Sequence, residues 1–531
     1  MSRLTYAVEL KKTSYNWANS AGTYVCGYLF VKDILYRGSD LAEYIDSSQD
    51  VLSIVNNANG EFCIIKTDGK SLAAYSDVIR SYPLFYTVFH DKLFLTDTAE
   101  TLVECSNAKI NPVFKKEYLA AGFVSGSYTL FDGIYTIQAG EFLFVETEKE
   151  SPKLTSYYQY DTAPLSKLSE NQLIAQLECV TNNVFDRLVR TLDGRQIVVP
   201  LSGGFDSRLV VQMLHKRGVS NVVCFSYGRK NSKECIYSKQ IADSLGYRWI
   251  YVDLTLSRWR KIFKQPHAKK YLYNYDNISA IPYIQHYASM SILLDGDFGI
   301  KKNCIVITGN SGDFLEGKNI HNDVFQRKIY SHDEVAYHIA LQHDILAGIE
   351  PLMDSEILSA IRHSIPDCEK FTADETVRIS ERFNWRERQS KYVVADSRVY
   401  EALGVGWRLP LWDKELVCFW ESVPPEIRAE RGLYYKYVSN EEIGNANDPT
   451  AFQIATLFLK NKSPHLLNVL FYFKRAGEYF SHPLHWYGIV SFLTYMRSVM
   501  KTNGASGFSI CTIVAQELCD WYTKFGATND L

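Results

Sequence analysis

Residues 197–208 read Ile-Val-Val-Pro-Leu-Ser-Gly-Gly-Phe-Asp-Ser-Arg, and every other segment is placed by its relation to this one. Residues 197–199 are β-branched and predict a buried strand. Segment 208–216 carries Leu209, Val210, Met213 and Leu214 on one apolar stripe and predicts a helix. Between them stand Ser202, Gly203, Gly204, Phe205, Asp206 and Ser207. Glycine lets backbone approach a ligand closely, and N–H groups at a helix start favour an anion. Ser202 and Ser207 add hydroxyl donors, and Asp206 adds a carboxylate able to hold Mg²⁺. The arrangement suits a di- or triphosphate. No Gly-Lys-Ser/Thr follows the glycines, so this is not a Walker loop.

The chain has 531 residues, enough for two domains with their own cores. Charged residues make up 22% and the net charge is −3, which argues against a polyanion-binding surface and hence a nucleic-acid partner. Aromatics reach 14%, a richness suited to core and groove packing. No window holds about 18 uninterrupted apolar residues, so no membrane span is expected. The eleven cysteines include no Cys-x-x-Cys pair, which disfavours a zinc site or dithiol motif. With no signal-peptide pattern at the start, their odd number points to reduced thiols and a cytoplasmic setting.

The six residues 202–207 resemble the pyrophosphate loop of ATP pyrophosphatases, enzymes that split ATP to AMP and pyrophosphate while activating a substrate. Upstream, residues 1–155 alternate short β-rich runs (23–31, 61–66, 71–76, 84–89, 92–96, 128–137 and 141–145) with turn residues, and 102–105 and 112–120 bracket a short helical section. Gly60-Glu61-Phe62, Asp77 to Tyr86 and Ala139-Gly140-Glu141 resemble successive pieces of the N-terminal domain of asparagine synthetases. The resemblance implies a glutaminase-like αββα sandwich over 1–155. In glutamine-using relatives the nucleophile is a cysteine directly after the initiator Met, its free α-amine acting as base. Position 2 is Ser2, and the first cysteine is Cys26 in an expected strand. No glutaminase nucleophile is assigned. The domain is expected to serve as scaffold, as in β-lactam synthetases, with free ammonia or an amine as nitrogen donor.

From 166 to 531 the pattern becomes alternating strand and helix, implying a doubly wound parallel α/β sheet with ligands at the strand carboxyl ends. Expected strands are 221–227, 249–254 and 304–308, and expected helices 168–191 and 232–245. Family resemblance puts the adenosine of ATP beside Phe225 and Ser226. Glu234 opens a helix, where a carboxylate also suits the dipole. Thr308-Gly309-Asn310-Ser311-Gly312-Asp313-Phe314 resembles Ser-Gly-x-Gly-x-Asp-Glu, the second phosphate-and-metal loop of asparagine synthetases, with Phe314 replacing the Glu. Gly309 and Gly312 would border phosphate, and Asp206 and Asp313 would jointly hold Mg²⁺.

Downstream, residues 407–413 (Trp-Arg-Leu-Pro-Leu-Trp-Asp) resemble Arg-x-Pro-Phe-Leu-Asp, a helical scaffold in the family, so Arg408 and Asp413 are read either as an ion pair or as site residues. Adenylation requires a cation near the α-phosphate. Relatives place a lysine late in the chain, and Lys436, Lys460 and Lys462 are alternative candidates. Tyr271, Tyr273 and Tyr275 lie where an acceptor could bind, with core packing the simpler reading. The expectation is an ATP-dependent ligase that adenylates a small-molecule carboxylate and joins ammonia or an amine to it. A sugar acid of a surface-polysaccharide pathway is the leading acceptor. Asparagine synthesis proper and β-lactam or lasso-type ring closure are alternatives, and a dead nucleotide-binding module is the other class. RNA thiolation is disfavoured by the acidic balance and the absence of paired cysteines.

Overall fold

The computed structural model describes residues 4–147, 151–160, 163–228, 230–343, 355–438, 473, 476, 477, 479, 480, 490–501 and 510–525. The first two sheets lie within the first 156 residues. One has the order β1 (Thr5–Glu9), β8 (Lys92–Thr96), β7 (Phe85–Phe89), β9 (Tyr135–Thr136), with β1 and β8 parallel. The other runs β11 (Lys153–Ser156), β10 (Glu141–Glu146), β6 (Ser71–Ser76), β5 (Asn59–Thr67), β3 (Thr23–Val31), β2 (Ala18–Ser20), with β4 (Ile34–Arg37) also on β3.

Alternation along a strand divides its side chains between two faces. In β5, Cys63 and Ile65 join Tyr86, Leu93 and Leu95 of the first sheet in one core. Phe62 and Ile64 face the other way and pack with Leu41 and Ile45 of the helix Gly38–Ser47 and Val51 of the helix Val51–Asn57. Helices thus cover an outer sheet face. The expected strand over 128–137 shrinks to β9, because Gly126 (φ +69°) and Gly133 (φ +73°) turn the backbone ahead of it and Thr129 Oγ1 donates to Ile134 O.

The third sheet is wholly parallel, in the order β14 (Arg248–Val252), β13 (Val222–Tyr227), β12 (Ile197–Pro200), β15 (Ile305–Ile307), β18 (Gly406–Arg408). The helix Glu170–Arg190 leads into β12, opened by a Ser169/Gln172 capping box and burying Leu173, Leu177, Val180, Val184 and Leu188 at helical spacing. After β12 the chain steps outward to β13 and β14, then returns to lay β15 on the opposite side of β12. That reversal opens a crevice at the carboxyl ends of β12 and β15, where doubly wound sheets take ligands. Beyond the sheet, β16 (Ile329–Ser331) and β17 (Lys370–Thr372) form a small antiparallel pair.

β18 falls inside the stretch expected to be helical scaffold; three residues are too few for any periodicity to register. Arg408 and Asp413 do not pair there. Arg408 donates to Thr191 Oγ1 (2.9 Å), whereas Asp413 takes Arg187 (2.8 Å) and caps the helix Lys414–Ser422.

The N-terminal two-sheet portion is held to the rest by buried polar contacts. Trp385 Nε1 donates to Val78 O (2.7 Å), Gln138 Nε2 to Glu387 (3.1 Å), and Lys391 Nζ to the carbonyls of Val124 (2.6 Å) and Gly126 (2.7 Å). Among the described residues no helix is long and apolar enough to cross a membrane, and none of the eleven cysteines is in a disulfide.

Candidate functional site

The helix expected from 208 begins earlier, at Phe205, with Gly204 as an extended N-cap (φ −78°, ψ 167°) that makes no side-chain cap. Asp206 and Ser207 therefore sit in the first turn, and its backbone N–H groups face the crevice without a capping side chain. Ser202 N donates to Ser207 Oγ (3.1 Å), the two hydroxyls lie 3.0 Å apart, and Gly204 N donates to Ser202 Oγ (3.1 Å). These bonds curl the loop into a concave turn of N–H groups. A Cβ on Gly203 would stand 3.3 Å from Glu234 Cα, so the loop leans on the first turn of the helix Lys233–Ser244.

The second loop, after β15, lies directly on the first. A Cβ at Gly309 would fall 2.7 Å from Asp206 C and 2.8 Å from Ser207 N, and one at Gly312 would fall 2.7 Å from Asp206 Cγ. Only glycine permits this approach. Ser311 adopts a left-handed conformation (φ +68°), and the Thr308 and Ser311 hydroxyls are buried without a hydrogen bond among the described residues. Asp313 opens a short turn and faces Lys318 Nζ at 3.1 Å.

The cation at Asp206 is one that sequence reasoning missed. Arg431 bridges Asp206 and the buried Glu316. Burial disfavours the Arg431 charge, but Glu316 and Asp206 together outweigh it and hold the guanidinium more firmly protonated. Burial raises both carboxyls, Glu316 far more than Asp206; Arg431 opposes each rise, while Asp206 adds to that of Glu316 and Asp313 to that of Asp206. Phe205, Tyr434 and Tyr435 place rings 5.8, 4.9 and 5.6 Å from the guanidinium. Arg431 is 225 residues from Asp206 and follows a left-handed Glu430, so no local pattern announces it.

The remaining sequence candidates divide. Phe225 is fully buried, and its carbonyl accepts from Leu201 N (2.8 Å). The Ser226 hydroxyl donates to Leu201 O (2.6 Å) and lies 2.7 Å from Ser238 Oγ, so it steadies the loop's entry from inside. Lys436 is on an exposed helix face, paired with Glu170. Lys460, Lys462 and Ser2 lie outside the described residues. Tyr271 stacks on Tyr287 (4.7 Å) and Tyr273 on Trp521 (5.2 Å), which is core packing; the side chain of Tyr275 lies outside the described set. Among the described residues no group of three or more His, Cys, Asp or Glu is arranged to hold a metal. Asp206 and Asp313 could still serve Mg²⁺ in company with a phosphate ligand, since that ion takes one or two carboxylates and completes its shell with phosphate oxygens and water.

The fold is thus a parallel α/β sheet with two glycine loops packed together at its switch point, where doubly wound sheets take ligands. Residues 184–439 match the asparagine synthase family. A curated relative is the Microcin J25-processing protein McjC of Escherichia coli, 21% identical over 275 residues, which is 51% of this chain and 49% of that protein. The match thus spans about half the length of that relative.

Proposed function

We propose that the protein is an ATP-dependent amide synthase that forms AMP and pyrophosphate, built as a scaffold over 1–155 and a synthetase over 166–531. The observation that carries this is the contact of the two loops, with Gly309 and Gly312 pressed on the Asp206 backbone at the switch point. The family match and the relative support an amide-forming, ligase-type synthetase.

In this reading Ser202, Gly203, Gly204 and Ser207 hold the β- and γ-phosphates through N–H and hydroxyl groups, with Gly309 and Gly312 keeping the second loop close. Asp206 and Asp313 would hold Mg²⁺, whose charge offsets that of departing pyrophosphate. A substrate carboxylate attacks the α-phosphorus, pyrophosphate leaves, and ammonia or an amine then attacks the acyl-adenylate to give amide and AMP. For Asp206 to reach magnesium, Arg431 must release one of its two carboxylates. It would then stand free to neutralise phosphate, beside the late lysine that Lys436, Lys460 or Lys462 would supply.

A sugar acid remains the first acceptor class to test. The similarity to a protein named for microcin processing favours a second reading, amide closure within one substrate. The experiment is ATP–pyrophosphate exchange with Mg²⁺ over aspartate, uronic acids and nucleotide-uronic acids, with no nitrogen source. Exchange driven by one acid, and lost in Asp206→Asn, supports the mechanism. Exchange unchanged in Asp206→Asn removes it. No AMP release with any acid, even after adding ammonia, places the dead nucleotide-binding module ahead.

A further inference from the structure

Beside the loop pair lies a buried polar group that phosphate binding does not use. The helix Gln285–Asp295 leads down into β15 and the helix Asp396–Ala402 into β18, so the first turns of both sit at the carboxyl ends of the sheet. His286 comes from the first and Asp396 from the second. His286 Nδ1 lies 2.7 Å from Asp396 Oδ1 and 2.6 Å from the hydroxyl of Tyr400, one turn beyond Asp396. Tyr400 also donates to Asp396 Oδ2 (3.2 Å), and Asn310 Nδ2, in the second glycine loop, donates to the same oxygen (3.0 Å). Phe225 and Tyr227, at the end of β13, and Tyr283 surround the imidazole at 6.5, 5.6 and 5.3 Å between ring centroids.

This geometry has a chemical consequence. A carboxylate bonded to Nδ1 fixes the tautomer with the proton on Nδ1, leaving Nε2 with its lone pair as a base. The same carboxylate stabilises the imidazolium formed when Nε2 takes a proton. Burial holds the phenols of Tyr227 and Tyr400 well above their ordinary range, so they stay protonated and cannot replace the imidazole as base. Amide formation needs such a base, because a nitrogen that attacks an acyl carbon must shed a proton before the amide is neutral.

We propose that His286 is the general base for the attacking nitrogen, with Asp396 and Tyr400 as positioning residues and Asn310 tying them to the second loop. The proposal rests on the adenylation reading. The amine nitrogen bonds to the acyl carbon of the acyl-adenylate while its proton passes to His286 Nε2. The bond from acyl carbon to phosphate oxygen then breaks and AMP leaves with that electron pair.

The test separates the two half-reactions of the full chain, using the acid that supports exchange in the wild type. Ammonia and hydroxylamine serve as nucleophile probes; ammonia is mostly protonated near neutral pH, whereas hydroxylamine is mostly free base and needs less help. In His286→Gln, ammonia-dependent amide formation should fall about 100-fold or more, the usual reach of a general base. Hydroxamate formation and ATP–pyrophosphate exchange should each fall less than about tenfold. Asp396→Asn should show the same split, and imidazole in the buffer should partly restore ammonia use to His286→Ala. Equal losses with both nucleophiles and in exchange mark a structural role and overturn the proposal, as does unchanged ammonia use. Should His286→Gln not fold, Tyr400→Phe, which removes one hydroxyl, must show the split in milder form or the proposal fails. Absence of exchange with every acid in the wild type removes the adenylation reading itself, and this inference with it.

Discussion

Glu61 gives the sharpest quantitative test of how the N-terminal two-sheet portion is joined to the parallel sheet. Its side chain leaves β5, is 5% exposed, and accepts the Leu409 N–H at 2.7 Å just before Pro410; its other oxygen, Oε2, is buried without a partner among the described residues. Burial pushes the carboxyl from an ordinary 4.5 up to about 7, against the pull of Arg408 and the Leu409 N–H. The folded chain thus keeps a proton that the unfolded chain releases earlier. Stability from this group is fully present below about pH 4.5 and is lost as pH rises through about 7. At about 1.4 kcal/mol per pH unit, the loss amounts to about 3 kcal/mol. Glu61→Gln keeps the acceptor for Leu409 and cannot ionise. Urea denaturation of both proteins at pH 4.5 and pH 8 should show similar stabilities in acid. At pH 8 the Gln variant should be ahead by about 3 kcal/mol, because contributions from all other titrating groups cancel in the difference. A stability difference that does not change with pH, or a Gln variant weaker at pH 8, refutes the reasoning.

Three further outcomes are expected. Gly309→Ala places a methyl 2.7 Å from Asp206 C, a backbone atom that cannot turn aside, so overpacking should cost about 1–3 kcal/mol and part the two loops. Exchange activity should drop at least about tenfold while circular dichroism keeps its shape. Arg431→Met leaves Asp206 and Glu316 facing each other without their cation; thermal unfolding should register a loss of about 3–5 kcal/mol, and adding Glu316→Gln should recover much of the stability. Lys391, whose side chain is fully buried, pairs with Glu387, so Lys391→Met should cost about 3–5 kcal/mol and the double change Lys391→Met/Glu387→Gln clearly less.

Much of this protein was legible in its amino-acid order, because the decisive features are local. Glycine, serine and aspartate between a β-branched run and an apolar stripe announce a strand, a tight turn and a helix, since each depends on neighbours a few residues away. The helix Glu170–Arg190 is written in the same way, by a capping box and a spacing of three to four. The order of the motifs was enough to suggest an asparagine synthetase-like chain.

Tertiary structure alone decided how distant pieces meet. β18 has three residues and takes its identity from pairing with β15, so no pattern within it could reveal a strand. Phe225 and Ser226, read as nucleotide contacts, put their polar bonds into the loop's support. Arg431 reaches Asp206, and His286 reaches Asp396, only because the winding of the sheet brings segments 225 and 110 residues apart to its carboxyl edge. Charge pairing and the orientation of an imidazole are set by distance in space, and a one-dimensional order of residues carries that information only where the partners are neighbours along the chain.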